Sequence, residues 1–357
     1  MDLANNPLRF FLGSSSPSGF WSTAPQLYDP FDGWRVYLLK GGAGSGKSTF
    51  LKQIATRAGE SAELFCCGAD PRSLDAVCLP LRKIVAMDAT APHSVEPRLW
   101  GACEQLIPLS MCVDETRLYD HRDESIRLLR EQETCHRRCR RLLGNATTLL
   151  AQNRRAVRDA VDEQALEKTA LRLARQEWER TENAGQEETR LLSAVTPDGI
   201  ATFFETVQAL CPRIYAVCDE HGAVAAKLLH LLKTRAVADG QHVVVSPSPL
   251  FPDTVIEHIW LPQLGTAFLT ANRWHPVDFP VYRRLHAARF WDDTILAQKR
   301  NQLHFRQHTA EELLIGAAAA LAEARDRHDE CEQLTAAATD WDAVSQMTAM
   351  FLERMGI

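Results

Sequence analysis

Residues 41–49 are the part of the sequence with the clearest chemical meaning. They match the pattern G-x-x-x-x-G-K-[ST], in which glycines let a loop turn its backbone N–H groups towards phosphate oxygens. An apolar strand at 36–39 precedes this loop, and one apolar helix face follows it from Phe50. This context predicts a phosphate-binding loop made of Gly41, Gly42, Ala43, Gly44, Ser45, Gly46, Lys47, Ser48 and Thr49.

The polar residues of this loop have expected roles in binding Mg-ATP. Lys47 would contact the β- and γ-phosphates, and the Ser48 hydroxyl would ligate Mg²⁺. Thr49 would donate a hydrogen bond to the α-phosphate, beside the positive N-terminal end of the helix. The sequence contains no N-K-x-D motif to read guanine, which favours ATP over the alternative, GTP.

A carboxylate that holds Mg²⁺ through water is expected at the end of another parallel strand. Asp88 ends the apolar run 84–88 and is the natural candidate for this Walker B position. The alternative is that Asp88 caps the turn that follows. No glutamate follows Asp88, so the residue that would activate water is not identified.

Two further polar residues follow predicted strands. Asp70, with Asp75 five residues later, suits a general base or a substrate ligand, and it equally suits an Asx-turn before Pro71. His93 lies just beyond Asp88 and would either contact the γ-phosphate or serve its own loop structurally. We therefore include Lys47, Asp88, Asp70 and His93 among the candidate catalytic residues.

The elements that position these residues recur along the chain. Segments match in the same order at offsets of 178 to 182, for example 35–39 with 213–217 and 16–20 with 196–200. Each copy begins with strands that alternate with helical patterns, which is typical of a parallel sheet with crossover helices. A stretch with apolar pairs, rich in Arg and Glu, then predicts long helices in each copy.

The predicted fold is therefore α/β, with tandem duplicated P-loop NTPase-like units that have parallel sheets. Each unit is followed by a long helical hairpin. The first unit spans 1–191, with its hairpin at about 114–190, and the second spans 192–357, with its hairpin at about 282–357. Asp162 and Asp340, which are 178 residues apart, are predicted to cap the second helix of each hairpin.

The second copy has lost the chemistry of the loop. At the aligned positions Val224 replaces Gly46, Ala225 replaces Lys47 and Ala226 replaces Ser48. Asp219 and Glu220 add negative charge, which repels phosphate, and Thr270 aligns with Asp88. We predict that the second copy binds no nucleotide.

Three stretches, at 39–49, 70–75 and 85–93, resemble a poorly characterised family of bacterial ATPase-like proteins with duplicated P-loop NTPase domains. The resemblance extends over essentially the whole chain. It implies a P-loop NTPase fold and ATP binding, and it implies no particular substrate. The second copy of such proteins carries a phosphate loop too, so this sequence departs from the family pattern at residues 219–227.

Composition limits the other classes of function. Apolar residues make up 45% of the chain and charged residues 24%, with a net charge of −6, so a nucleic-acid partner is not expected. The first seven residues lack the basic flank and apolar core of a signal peptide, and no apolar stretch is long enough to span a membrane. A cytoplasmic location is therefore predicted.

Three functions are compatible with these features. The leading interpretation is an ATPase, a hydrolase that uses Mg-ATP in the first copy. A small-molecule kinase would instead pass the γ-phosphoryl group to an acceptor through Asp70 or Asp75. A non-catalytic, nucleotide-gated scaffold would bind a protein partner through the helical hairpins. The oligomeric state is left open.

Overall fold

A computed structural model of the protein describes residues 8–58 and 62–357. The first seven residues, on which the expectation of no signal peptide rests, lie outside the described residues. Within the described ranges the chain is an α/β protein, roughly half helical, with two six-stranded mixed sheets.

The first sheet contains strands of the N-terminal half in the order β1-β5-β6-β7-β4-β8. Their bounds are β1 (Arg9–Phe11), β4 (Arg35–Lys40), β5 (Glu63–Cys66), β6 (Leu74–Leu79), β7 (Ile84–Asp88) and β8 (Glu104–Pro108). Strand β4 is parallel to β7 and β8, whereas β6 is antiparallel to β5 and β7. The prediction of a wholly parallel sheet is wrong because short connections, at 67–73 and 80–83, join β6 to its neighbours. A parallel crossover needs a dozen or more residues.

The second sheet repeats this order with strands of the C-terminal half, β9-β13-β14-β15-β12-β16. Their bounds are β9 (Gln186–Thr189), β12 (Arg213–Cys218), β13 (His242–Ser248), β14 (Phe251–Leu261), β15 (Thr266–Ala271) and β16 (Arg283–His286). Strand β14 is antiparallel to both neighbours, as β6 is in the first sheet. Strand β9 precedes the expected start of the second unit at residue 192, and it joins the second sheet.

Two small hairpins carry the repeated segments 16–20 and 196–200. They consist of β2 (Gly13–Ser16) with β3 (Gly19–Ser22), and of β10 (Ser193–Thr196) with β11 (Gly199–Thr202). The hairpins contact each other, and Ser14 Oγ accepts a hydrogen bond of 3.0 Å from the backbone N–H of Val195. The two halves therefore meet through equivalent segments.

The helices are α1 (Lys47–Ala58), α2 (Glu115–Tyr119), α3 (Arg122–Arg158), α4 (Glu163–Glu177), α5 (Phe204–Leu210), α6 (Ala223–Ala238), α7 (Asp293–Ala337) and α8 (Trp341–Met355). Asp162 and Asp340 accept backbone hydrogen bonds at the starts of α4 and α8, which confirms the two predicted caps. Among the described residues, no helix is both long and apolar enough to cross a membrane.

The long helices pair between the halves, so the prediction of a hairpin within each half is wrong. Helices α3 and α7 run antiparallel, with Arg138 paired to Glu323 and Asn153 donating to the carbonyl of Leu303. Helix α4 packs on α6 of the other half, and α8 contributes Phe351 to the core of the first sheet. The cause is that the apolar stripes of α3 and α7 face each other in one buried cluster.

Candidate functional site

The glycine-rich loop connects the end of β4 to the start of α1, as the sequence predicts. Gly44 and Gly46 have positive φ angles of 80° and 92°, which favour glycine. A Cβ atom on Gly44 would lie 2.3 Å from the carbonyl oxygen of Glu332, and one on Gly46 would lie 3.1 Å from Val344. The glycines are therefore required both by the shape of the loop and by its close contact with α7 and α8.

Lys47 lies folded against its own loop. Its Nζ donates to the carbonyl oxygens of Gly41 and Gly42, each at 2.8 Å, and lies 3.6 Å from Asp88 Oδ2. The Lys47 side chain is only 12% exposed. The ammonium group is thus held at the loop, beside the predicted metal carboxylate, by bonds that a stronger acceptor such as phosphate could replace.

Asp88 ends β7, directly beside Leu39 of β4 in the parallel register. Its Oδ1 accepts a hydrogen bond of 2.8 Å from the backbone N–H of Thr90. Burial raises the pKa of Asp88, and the charge of Lys47 acts in the opposite direction. Asp88 therefore lies next to the loop and also caps the following turn, so the two interpretations of this residue are compatible.

Ser48, the other predicted metal ligand, lies on the first turn of α1. Its Oγ accepts a hydrogen bond of 3.2 Å from the backbone N–H of Leu74, at the start of β6. Thr49, the last residue of the loop motif, is exposed. Within residues 8–58 and 62–357 the Ser48 hydroxyl donates no hydrogen bond, so its proton and a second lone pair stay available.

Asp70 forms the turn that the sequence allowed as an alternative. Its carboxylate accepts hydrogen bonds from the backbone N–H of Arg72 at 3.3 Å and from Ser73 Oγ at 2.9 Å. Although burial acts to raise it, the pKa of Asp70 is lowered, chiefly by the hydrogen bond of 3.0 Å from Arg72 Nε and then by the bonds from Ser73 and the Arg72 backbone. Asp70 is therefore a satisfied Asx-turn residue.

His93 is buried, with both ring nitrogens in contact with polar partners. Its Nε2 lies 3.0 Å from Asp75 Oδ2, and its Nδ1 lies 3.3 Å from Ser22 Oγ. Asp75 belongs to β6, a strand that the sequence did not reveal. These contacts join β6 to the small hairpin at 13–22.

The second half repeats the arrangement around His93. There His275 Nδ1 lies 2.9 Å from Thr202 Oγ1, and its Nε2 lies 3.6 Å from Glu257 Oε1. The repeat occurs in the half whose loop lacks the residues for phosphate binding. This favours a structural role for the hydroxyl and imidazole groups in both halves.

The end of α7 brings residues to the loop that the sequence did not indicate. The backbone of Glu332 lies against Gly44, and the charge of Lys47 contributes to lowering the pKa of the Glu332 carboxylate. This pKa is lowered chiefly by the pairing with His328, whose Nε2 lies 3.6 Å from Glu332 Oε1. Asp329 lies one turn earlier, where burial and the charge of Glu332 raise its pKa. Negative charge from the other half of the chain therefore borders the loop.

The contact between Glu332 and Gly44 has a counterpart in the second half. The repeat offset of 178 aligns Glu332 with Arg154 and Gly44 with Gly222, and it is the one sequence signal that relates the two contacts. A Cβ atom on Gly222 would lie 3.5 Å from Arg154 Nε. The end of α3 therefore covers the second loop as the end of α7 covers the first.

Asp219 occupies the start of α6, at the position equivalent to the phosphate loop. Its Oδ2 accepts hydrogen bonds from the backbone N–H groups of Val224, at 2.7 Å, and Ala225, at 2.9 Å. Its Oδ1 accepts a bond of 3.1 Å from the N–H of His221, and the residue is 1% exposed. Burial raises the pKa of Asp219, and these backbone bonds act in the opposite direction. The chain's own carboxylate thus takes the place of an anion at this helix end.

The fold and the site together define an α/β protein with a glycine-rich loop between a parallel strand and a helix. No family model, no curated protein and no solved structure matches this chain. The resemblance to duplicated P-loop proteins therefore stays a prediction that rests on the residues quoted for it.

Proposed function

We propose that this protein is a P-loop ATPase that binds Mg-ATP on residues 41–49 of its N-terminal half. The observation that carries the proposal is the meeting of Lys47 and Asp88, 3.6 Å apart, where parallel strands β4 and β7 end beside the loop. P-loop nucleotide sites need a lysine, a hydroxyl and a carboxylate in this relation. The loop motif supplies the first two, and β7 supplies the third.

Each residue would then act on a defined part of the nucleotide. Lys47 exchanges its bonds to the Gly41 and Gly42 carbonyls for bonds to the β- and γ-phosphates, which are stronger acceptors. Ser48 and Asp88 are the residues that would hold Mg²⁺ at this site. The bound Mg²⁺ would neutralise charge that develops on the phosphates during transfer to water.

The proposal includes a tandem duplication in which the second half no longer binds nucleotide. Its support is the matching strand order of the two sheets, the equivalent hairpins and the segments repeated at 178 to 182 residues. Asp219 supports the loss of nucleotide binding, because its carboxylate accepts the backbone bonds that phosphate would need.

One observation favours nucleotide gating as a part of the same function. Glu332 lies against Gly44, and its negative charge acts on Lys47, so phosphate and the Glu332 carboxylate would compete for the same cation. Helix α7 spans both halves of the fold, and it would transmit this competition to the second half.

Equilibrium binding and phosphate release test the proposed function directly. Purified protein is titrated with Mg-ATP in a calorimeter, and phosphate release is followed without an added acceptor. Binding with slow phosphate release supports the ATPase. Turnover only with a metabolite extract would indicate the kinase, and binding without turnover would indicate the scaffold. Absence of Mg-ATP binding would overturn the proposal.

Asp88→Asn is expected to weaken Mg²⁺-dependent turnover by about 10- to 100-fold, the usual effect of losing an outer-shell metal partner. Nucleotide binding without metal should change little, because Asp88 is not expected to touch the phosphates. Turnover is measured across a magnesium titration. Asp32→Asn is the control, since this exposed carboxylate pairs with Lys83 away from the loop. If turnover depends on magnesium in the same way in Asp88→Asn and in the parent, then Asp88 caps the turn and does not hold the metal.

Glu332→Gln is expected to tighten Mg-ATP binding by about two- to fivefold, the range for one partly exposed charge. The amide is nearly the same size as the carboxylate, but it carries no charge and does not repel phosphate. The affinity is measured at low and high salt, and the gain should shrink as salt screens the charge. Glu330→Gln is the matched control, because Glu330 pairs with Arg327 on the same helix. A weaker affinity in Glu332→Gln would contradict competition.

A further inference from the structure

A cavity of about 40 Å³ lies in the second half, between the end of α3, the start of α6 and the middle of α7. Ala225 and Ala226, which align with Lys47 and Ser48, line it, and so does Thr270, which aligns with Asp88. The cavity therefore occupies the region equivalent to the metal and phosphate site of the first half, with different chemistry. None of its residues takes part in the proposed ATP site.

Buried polar groups without partners line this cavity. Gln307 is 4% exposed, yet within the described part of the chain neither its Oε1 nor its Nε2 has a hydrogen-bond partner. The same is true of Thr270 Oγ1, where the residue is 2% exposed, and of Asn153 Oδ1. Leaving a buried polar group unpaired costs about 1–3 kcal/mol. A polar molecule in the cavity would supply partners for these groups.

Opposite charges line the cavity without forming an ion pair with each other. Arg154 lies over the ring of Phe251, 4.3 Å from its centroid, and its Nε has no partner among residues 8–58 and 62–357. No carboxylate within those ranges pairs with Arg154. Burial lowers the pKa of Arg154, and the charge of Glu257 acts against this shift. Arg154 is therefore a half-buried cation at the cavity, with an unpartnered Nε.

Glu257 supplies the negative group and is 8% exposed. Its nearest cationic candidate is His275, at 3.6 Å, but burial lowers the pKa of this imidazole, so the ring is neutral. His221, also at the cavity, has a pKa lowered by burial. Neither histidine neutralises Glu257 at neutral pH.

We propose that this cavity binds a small zwitterion, a free α-amino acid of about the size of glycine to serine. Its carboxylate would bind Arg154, its ammonium group would bind Glu257, and the Gln307 amide would donate and accept the remaining bonds. The volume fits this size, since one water-sized molecule needs about 10–15 Å³ on the same measure. A phosphate ligand is disfavoured, because Asp219 already accepts the backbone bonds at the start of α6. This site is independent of the proposed ATPase.

Calorimetry and thermal unfolding of the full chain with glycine, alanine and serine test the proposal. At least one of them should bind with one site per chain and raise the unfolding temperature with dose. Acetate and methylamine, each one half of the zwitterion, should fail at the same concentration. No binding of any amino acid at about 10 mM, which would nearly saturate a site of 1 mM affinity, overturns the proposal and leaves a cavity that holds water only. Equal binding of acetate would also overturn it.

Variants then locate the bound amino acid. Arg154→Gln should weaken binding by about 10- to 100-fold, the range for a lost charged hydrogen bond. Arg155→Gln is the matched control, because Arg155 is the exposed neighbour on the same helix. Gln307→Met, close in size, removes the amide assigned to the ligand and provides a second variant if Arg154→Gln fails to fold. Parent affinity in Arg154→Gln, or in Gln307→Met when the first is unfolded, would overturn the site. Lys47→Ala should bind the amino acid as the parent does. A failure of the nucleotide proposal can therefore be distinguished from a failure of the amino-acid site.

Discussion

We expect the Lys47→Ala substitution to abolish Mg-ATP binding or turnover and to leave the fold intact. Lys47 is the cation of the loop motif, and its ammonium group lies 3.6 Å from Asp88. Without the ammonium group, the bonds to two phosphates are lost, and the binding free energy becomes less favourable by about 3 kcal/mol or more. This corresponds to a loss of about 100-fold or more in affinity. Titration calorimetry with Mg-ATP measures the affinity, and phosphate release measures the turnover.

The fold should tolerate this change. Lys47 donates its two hydrogen bonds to the carbonyls of Gly41 and Gly42 and pairs with Asp88 at the edge of the loop, so its removal opens no apolar cavity. Circular dichroism and thermal unfolding check this expectation. Arg57→Ala, at the far end of α1, is the control and should bind Mg-ATP as the parent does. Unchanged nucleotide affinity in a folded Lys47→Ala protein would remove residues 41–49 from the nucleotide site.

We also expect the protein to bind one nucleotide per chain, although its two halves share the same strand order. The second half has the same strand order as the first, but the start of α6 lacks an ammonium group and a metal-binding hydroxyl at Ala225 and Ala226. The buried carboxylate of Asp219 also accepts the N–H groups that phosphate would need. A triphosphate would have to displace a fixed negative charge and bind beside Glu220. We therefore expect the second half to exclude it.

The stoichiometry of a non-hydrolysable ATP analogue measures this result. The parent should bind one analogue per chain, and Lys47→Ala should bind none. Asp219→Ala should still leave one site, because Ala225 and Ala226 remain, although the protein should lose about 1–3 kcal/mol of stability when the N–H groups lose their acceptor. Two sites in the parent, or one remaining site in Lys47→Ala, would show that the second half binds nucleotide.

Local features of the chain were predictable from the sequence because their causes lie within a few residues. The glycines of the loop, the apolar strand before it and the helix after it follow one another directly, and Asp162 and Asp340 cap helices a few residues away. The offsets of 178 to 182 predicted repeated elements, and the second sheet follows the strand order of the first. The role of these residues in nucleotide binding stays a prediction.

Strand β6 was missed because its short apolar run carries Asp75, which suggested a turn or a cap. In the fold, Asp75 is 8% exposed and bonded to His93, a partner 18 residues away that makes a carboxylate tolerable in a buried strand. A sequence pattern does not show which distant side chain will satisfy a buried polar group.

The pairing of the long helices was decided by the tertiary structure alone. An apolar stripe determines that a helix packs on something, but the stripes of α3 and α7 are equally compatible with a hairpin inside each half or with each other. Because they pair across the halves, Glu332 is brought to Gly44, and Arg154 to Gly222. The sequence by itself determined the loop and its flanking elements, which depend on neighbouring residues. Only the packing of distant helices determined what covers each loop, and so created the acidic border of the first site and the polar cavity of the second.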